Sequence, residues 1–238
     1  KENKKYNFTI SWGTQTNSDD STGEIMFKSE TIPHIENIKL KLNKFLGNTF
    51  QVPPRISANK INGKRAYKLV RQNVSFKLLP KKVYVKNIRI TNNYKNKTSF
   101  EIECGKGFYI RSLGRDLALS LGTYGHICHL ERLNVGKFSK ETSILLDDLL
   151  KISKRQELID NLYSSVSMLD DILAYEIEKD NDLKNLSLGR SINIDEKKLF
   201  NFSPKSEDKN EIFLSHNGDI VSIGKLIGNL FKPNKVLI

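Results

Sequence analysis

The stretch Cys104-Gly-Lys-Gly-Phe-Tyr-Ile-Arg111 holds the residues of this chain whose types and spacing suggest chemistry. Read as a strand, it points Tyr109 and Arg111 to the same side. An arginine placed there can grip a carboxylate through two parallel N–H···O bonds, while the tyrosine ring offers a flat face to a base. The same residues also suit an edge strand with a solvated arginine, and alone they do not choose between the two. Other chemistries leave weaker marks. No Gly-x-Ser-x-Gly and no His-Glu-x-x-His occurs, and Gly105-Lys106-Gly107 lacks the spacing of a phosphate-binding loop. His126, Cys128 and His129 lie close in sequence, with Cys104 not far off. Without a Cys-x-x-Cys pair they read as packed side chains, and no metal is expected.

The elements around that stretch follow from apolar periodicity. Tyr6, Phe8, Ile10 and Trp12 alternate and predict a strand, followed by a polar loop over 13–23 and a short strand over 24–27. Pro33 to Leu46 reads as a helix stopped by Gly47. Gln51 to Gly63 contains Pro53-Pro54 and reads as extended or looping, and Ala66, Leu69 and Val70 mark a short helix. Lys82 to Thr91 and Ser99 to Cys104 alternate and predict antiparallel strands joined by a turn over 92–98. Ser112 is placed to cap a helix carrying Leu113, Leu117 and Leu121, ended by Gly122. Leu145 to Arg155 and Glu157 to Tyr163 look helical. After Asp170-Asp171 the texture changes to short apolar pieces between polar turns, which puts a domain boundary near 165–180. Ile212 to Ile223 reads as a hairpin, with Asn217-Gly218 supplying the positive φ angles of a tight turn.

Charge narrows the partners. The chain has 238 residues and a net charge of +12, yet no Asp or Glu occurs from Asn37 to Phe100, where sixteen Lys and Arg stand. That leaves 23 basic against 27 acidic residues elsewhere, so the whole excess lies in one segment. Clustered cations of this kind release counterions from phosphates and point to a polyanion. No apolar run is long enough to span a bilayer, and no strongly amphipathic basic helix favours a membrane surface. Two cysteines and no secretory pattern fit a reducing cytoplasm.

Three blocks, in order, resemble the TruB family of bacterial tRNA pseudouridine synthases. The first is Lys5-Tyr6 with Gly13-x-x-Thr16-x-x-x-Asp20-x-x-Gly23. The second is Gln51-Val-Pro-Pro-x-x-Ser57-Ala58-x-Lys60-x-x-Gly63-Lys64-x-x-Tyr67-x-x-x-Arg71. The third is Cys104-x-Lys106-Gly107-x-Tyr109-Ile110-Arg111-Ser112, then Asp116-Leu117, Leu121-Gly122-x-x-Gly125-His126 and Leu130-x-Arg132-Leu133. The resemblance implies an α+β pseudouridine-synthase fold over 1–168, with a mixed, mainly antiparallel central sheet, flanking helices and an RNA-binding loop near 51–80. It also implies a small C-terminal PUA-like β domain over 169–238, suggested by Gly189-Arg190 and the β-like close of the chain.

The implied activity is isomerisation of the T-loop uridine of tRNA, position 55, to pseudouridine, without cofactor or metal, by a cytoplasmic monomer that binds the T stem-loop. By the same resemblance Tyr6 stacks on the flipped uracil and helps remove the carbon-5 proton, Arg111 pairs with the catalytic aspartate, and Tyr109 and Leu130 line the uridine pocket. Arg55, Lys60, Lys64, Arg65 and Arg71 belong to the RNA-binding loop and its flanks. Asp19 and Asp20 stand where the family has a structural acidic residue and are not the nucleophile. Glu131 departs from the family, which often has a basic residue there. The family's nucleophile lies in a Gly-x-Leu-Asp-Pro-type motif upstream of the matching tyrosine, whereas five residues precede Tyr6 here and residue 1 is lysine. The expectation is therefore a truncated chain, without the nucleophilic aspartate, that binds RNA weakly and does not turn over alone. A non-catalytic tRNA-binding protein on the same fold is the alternative. The Gln51–Arg71 block argues against a guide-RNA-dependent synthase.

Overall fold

A computed structural model describes residues 3–169, 172–200 and 211–238. The architecture is α+β, in two compact units, Lys1–Ser143 and Ile144–Ile238. Asp170 and Asp171, where the sequence changes texture, lie outside the described residues.

In the first unit, alternation makes β1 (Lys4–Trp12) a strand with Phe8, Ile10 and Trp12 buried on one face. β2 (Thr14–Thr16) and β3 (Ile25–Lys28) form a small hairpin around the 17–24 loop. α1 (Ile35–Leu42) buries Ile38 and Leu42; the rest of the helix expected to reach Leu46 tightens into a 3-10 turn over Asn43–Phe45. β4 (Gly47–Gln51) follows, then the tiny hairpin of β5 (Lys60–Ile61) and β6 (Lys64–Arg65), then α2 (Ala66–Arg71). Asn62 and Gly63 turn that hairpin at φ 48° and 82°.

β7 (Lys81–Tyr94) and β8 (Lys97–Cys104) pair antiparallel. Their turn is tighter than the expected 92–98 stretch: the strands run on to Tyr94 and restart at Lys97, and Lys95 takes a φ of 51°. α3 (Ile110–Ser120), β9 (Gly125–Val135) and β10 (Phe138–Ser139) complete the unit. The sheet order is β10-β9-β1-β8-β7-β4, so β1 lies inside the sheet. Phe8 stacks on Phe100 with ring centres 5.0 Å apart, and α1 and α3 cover this face with Ile38, Leu113 and Leu117. Each such fully buried side chain contributes roughly 1.5–3 kcal/mol.

The strand reading of Cys104–Arg111 is corrected here. β8 stops at Cys104, Gly107 turns at φ 83°, and Arg111 stands in the first turn of α3. The helix also begins two residues before the expected cap at Ser112, because that hydroxyl is used elsewhere: Ser112 Oγ donates to the Val52 carbonyl at 2.8 Å. Gly122 ends the chain's turn out of the helix at φ 74°, as expected.

In the second unit α4 (Leu146–Lys151) and α5 (Arg155–Asp160) are shorter than the periodicity predicts and bury no residue. β11 (Leu173–Glu176), α6 (Asp180–Ser187), β12 (Ile192–Asn193), β13 (Glu211–His216), β14 (Asp219–Ile227) and β15 (Leu230–Val236) follow. Their sheet runs β11-β13-β14-β15-β12 and closes on Ile177, Leu186, Ile212, Leu214 and Phe231. Asn217 and Gly218 turn β13 into β14 at φ 52° and 83°. Among the described residues no helix is long and apolar enough to cross a membrane.

Candidate functional site

Helix α3 organises the site. Arg111 and Arg115 are four residues apart and project from one face. Two glycines bring that face close to the sheet: a Cβ on Gly114 would lie 2.7 Å from Ile127 Cδ1, and one on Gly125 would lie 3.0 Å from Ala118 Cβ. The 17–23 loop folds over the same place, tied down by an isolated bridge between Asp20 and Ile127.

Arg111 is held at both tips. Its Nη1 donates to the Ser18 carbonyl at 3.0 Å and to Asp20 Oδ2 at 3.1 Å, and its Nη2 donates to the Ile56 carbonyl at 3.0 Å. Asp20 is itself fully engaged. Its Oδ1 accepts from Ser18 Oγ at 2.7 Å, from the Thr22 amide at 3.0 Å and from Thr22 Oγ1 at 2.6 Å. Burial works against the charge of Asp20, but the bonds from Thr22 and Ser18 and the nearby Arg111 outweigh it and lower its pKa. Arg115 joins a second set: Nε donates to Asp116 Oδ1 at 2.8 Å, Nη1 to Asp19 Oδ2 at 3.0 Å and Nη2 to the Val52 carbonyl at 2.8 Å. Asp19 is pushed the other way from its neighbour. Burial raises its pKa, and Arg115 offsets only part of that.

A cavity of about 410 Å³ opens beside Arg111, bounded by the 56–58 segment, Tyr67, Val70, Arg71 and Arg111. Of the candidate site residues, the structure brings Arg71 and Arg111 together here, along with Ser57, Ala58 and Tyr67 of the second block. Tyr109, Tyr6 and Leu130 stand outside the wall. Tyr109 is fixed beneath the neighbouring loop: its amide donates to Gln51 Oε1 at 2.9 Å, Gln51 Nε2 donates back to its carbonyl at 3.0 Å, and Asn59 Nδ2 donates to its hydroxyl at 3.1 Å. Tyr6 sits on β1 opposite Arg132 and Ile102. Burial raises its phenol pKa, the neighbouring Cys104 adds to that, and Arg132 opposes it, so the phenol is protonated at neutral pH. Leu130 lies on β9 opposite Phe8 and is half exposed. Glu131, the departure next to it, pairs with Lys140 Nζ at 2.5 Å, which offsets its negative charge.

Lys60, Lys64 and Arg65 are exposed on the β5–β6 hairpin. Arg55 lies over the Phe76 ring at 5.2 Å and Arg71 over the Tyr67 ring at 5.6 Å. A guanidinium on an aromatic face keeps its outer N–H groups available to phosphate. Cys104 is buried in the core, which pushes its thiol up to about 12, and His126 Nδ1 lies 3.0 Å from the Thr14 carbonyl. Among the described residues no three His, Cys, Asp or Glu come together as a metal site.

Sequence reasoning missed Asn59 and Arg115, and quoted Gln51 within the second block without a role. Their roles depend on contacts 50 or more residues away, such as that between Asn59 and Tyr109. The available signal was the four-residue spacing of Arg111 and Arg115 alongside the tandem acids Asp19-Asp20.

Residues 1–110 match the family model described as TruB family pseudouridylate synthase, N-terminal domain. Residues 111–174 match that of the tRNA pseudouridylate synthase B C-terminal domain. A tRNA pseudouridine synthase B from Caulobacter sp. (strain K31) is 40% identical over 190 residues, 79% of this chain and 61% of that protein. One from Anaplasma marginale (strain St. Maries) is 34% identical over 237 residues, 98% of this chain and 77% of that protein. The chain thus spans about three-fifths of the length of the first curated relatives it matches. The crystal structure of a Cbf5-Nop10-Gar1 complex shares the fold, with a TM-score of 0.66, 17% identity and coverage of 99% of this chain and 67% of that one.

Proposed function

The chain belongs to the TruB family of pseudouridylate synthases, and from that premise we propose that the protein carrying it isomerises the T-loop uridine of tRNA, position 55, to pseudouridine. In this reaction the N-glycosidic bond breaks, the uracil turns, and it rejoins the ribose through carbon 5, which then gives up its proton. The target nucleotide leaves its stack to reach a pocket.

Arg111 carries the reading. It is gripped by Asp20 and two main-chain carbonyls and forms part of the cavity wall at the same time. A guanidinium so fixed presents a set donor array to a carboxylate acting at the ribose. Tyr6 stacks on the uracil as a protonated phenol, with Tyr109 and Leu130 completing its surroundings. The exposed cations from Arg55 to Arg71 hold the T-arm phosphates. Residues 169–238 serve as a small PUA-like domain. The protein works in the cytoplasm as a monomer, with neither metal nor cofactor.

The acids that reach the two arginines of α3, Asp19 and Asp20 among them, are engaged by those arginines. That observation favours a second reading, a non-catalytic tRNA binder. Tritium release from tRNA labelled at uridine carbon 5 decides between them. The protein as its gene encodes it should release about one tritium per tRNA from the T loop. Binding without release would leave the RNA-binding reading standing.

A further inference from the structure

Arg115 does not reach the cavity, yet three groups from three different segments converge on it. Asp116 is its neighbour on α3, Asp19 comes from the 17–23 loop, and the Val52 carbonyl comes from the segment after β4. Its side chain is 15% exposed and that of Asp19 is 7% exposed. Both segments continue directly into the partners of Arg111. Asp19 is followed by Asp20, and Val52 lies four residues before Ile56.

Asp19 is also conformationally unusual. It holds a φ of 61°, a left-handed backbone that costs a side-chain-bearing residue energy and persists only where its surroundings enforce it. Its amide donates to the Thr16 carbonyl at 3.2 Å, and its carbonyl accepts from the Ile127 amide at 3.0 Å. With Arg115 on its carboxylate, every polar part of Asp19 is fixed. The turn thereby aims Asp20 at Arg111.

We propose that Arg115 is a positioning residue: by tying Asp19 and the Val52 carbonyl to helix α3, it sets the register in which Arg111 meets Asp20 and the Ile56 carbonyl. Arg115 acts on the uridine site only through Arg111 and touches no nucleotide. The turnover part of this inference rests on the proposed pseudouridine synthesis; the geometric part does not. Ser112 Oγ reinforces the arrangement by donating to the same Val52 carbonyl. The Val52 oxygen therefore receives two donors one turn apart on α3, which pins the 52–56 segment to the helix.

The test compares Arg115→Gln, Arg115→Lys and Asp19→Asn with wild type in the protein as encoded. Two readouts are used. The first is kcat and KM for pseudouridine formation in a T-arm hairpin. The second is the set of Arg111 guanidinium nitrogen resonances by NMR in RNA-free protein. Clamped at both tips, the Arg111 side chain should rotate slowly about its Nε–Cζ bond and show separate Nη signals. In Arg115→Gln those signals should merge. kcat should fall about tenfold or more, since a misplacement of ~1 Å away from the chemistry can cost on the order of 10²-fold. KM should stay within about threefold, because Lys60, Lys64 and Arg65 lie on the β5–β6 hairpin and keep their charges. Arg115→Lys should recover thermal stability but not kcat, since a single ammonium cannot serve three acceptors in the plane of a guanidinium. Asp19→Asn, which keeps shape and backbone, should repeat the effect at smaller size and covers the case in which Arg115→Gln fails to fold. Unchanged Arg111 signals in folded Arg115→Gln or Asp19→Asn would overturn the proposal. If wild type makes no pseudouridine, the functional reading fails, while the NMR comparison still decides the positioning role.

Discussion

Helix α3 and the 55–71 segment both rely on cationic side chains, and they use them in opposite ways. On α3, Arg111 and Arg115 are mostly buried and each makes three hydrogen bonds to fixed partners. On the β5–β6 hairpin, Lys60, Lys64 and Arg65 are exposed, and the aromatic faces under Arg55 and Arg71 steady their guanidinium groups without occupying their donors. A buried arginine that satisfies several acceptors fixes geometry, and removing it leaves those acceptors unpaired in low dielectric. An exposed cation contributes little to stability and remains available to a polyanion. The same kind of charge thus fixes geometry in one region and, in the other, stays available to the RNA binding proposed above.

The sharpest way to break that contrast is Arg111→Lys. Lysine keeps the charge but not the planar pair of donors, so turnover should fall by about 10²-fold or more, the scale seen when one preorganised donor is lost, with T-arm affinity changed far less. Single-turnover rates against a binding isotherm check this, and wild-type turnover would remove Arg111 from the site. Next in size is the triple change Lys60→Gln, Lys64→Gln and Arg65→Gln. It should flatten the log–log salt dependence of tRNA binding by up to ~3 units, at about 0.9 per lost phosphate contact. Thermal stability should shift by no more than about 0.5 kcal/mol. An unchanged slope would show that the hairpin does not touch phosphate.

The smallest expected effect sharpens the contrast within the clamp itself. The Asp20 carboxyl is held below its ordinary range, so the stability it contributes is present above its unfolded pKa, near 3.9, and is lost as pH falls through the lower folded value. Asp20→Asn should cost about 1–3 kcal/mol at neutral pH and lose part of the wild type's acid sensitivity. Asp19 has the opposite sign. Its raised pKa gives a contribution present below its unfolded value and lost as pH rises through the folded one. Asp19→Asn should therefore cost less at neutral pH than Asp20→Asn. Urea titrations of both variants between pH 3 and 7, or about that range, test the ordering. Equal losses would show that the two acids act as one unit.

Elements with clean local periodicity were legible in the sequence. β1 is announced by Phe8, Ile10 and Trp12, the β7–β8 pair by its alternation, and the β13–β14 hairpin by Asn217-Gly218. β9 was not recognised, because register shifts against β1 break its alternation, and His129 stands where the pattern of Gly125 and Ile127 calls for the next buried residue. β4 was missed for a related reason: Gly47-Asn-Thr-Phe-Gln51 buries only Gln51, and its strand character comes from pairing with β7. The helical placement of Arg111 was hidden because the residues through Tyr109 and Arg111 satisfy a strand pattern equally well. Gln51 resolves it by binding both the amide and the carbonyl of Tyr109.

By itself the sequence determined the three ordered blocks, the segregation of all excess positive charge into 37–100, and the pairing chemistry available to Arg111. Only the tertiary structure decided which acid meets which arginine. Asp19 and Asp20 are adjacent and chemically alike, and composition offers either one to Arg111. The left-handed turn at Asp19 and the Asp20–Ile127 bridge send their carboxylates to different arginines of α3, so the assignment depends on backbone direction across more than 90 residues of chain.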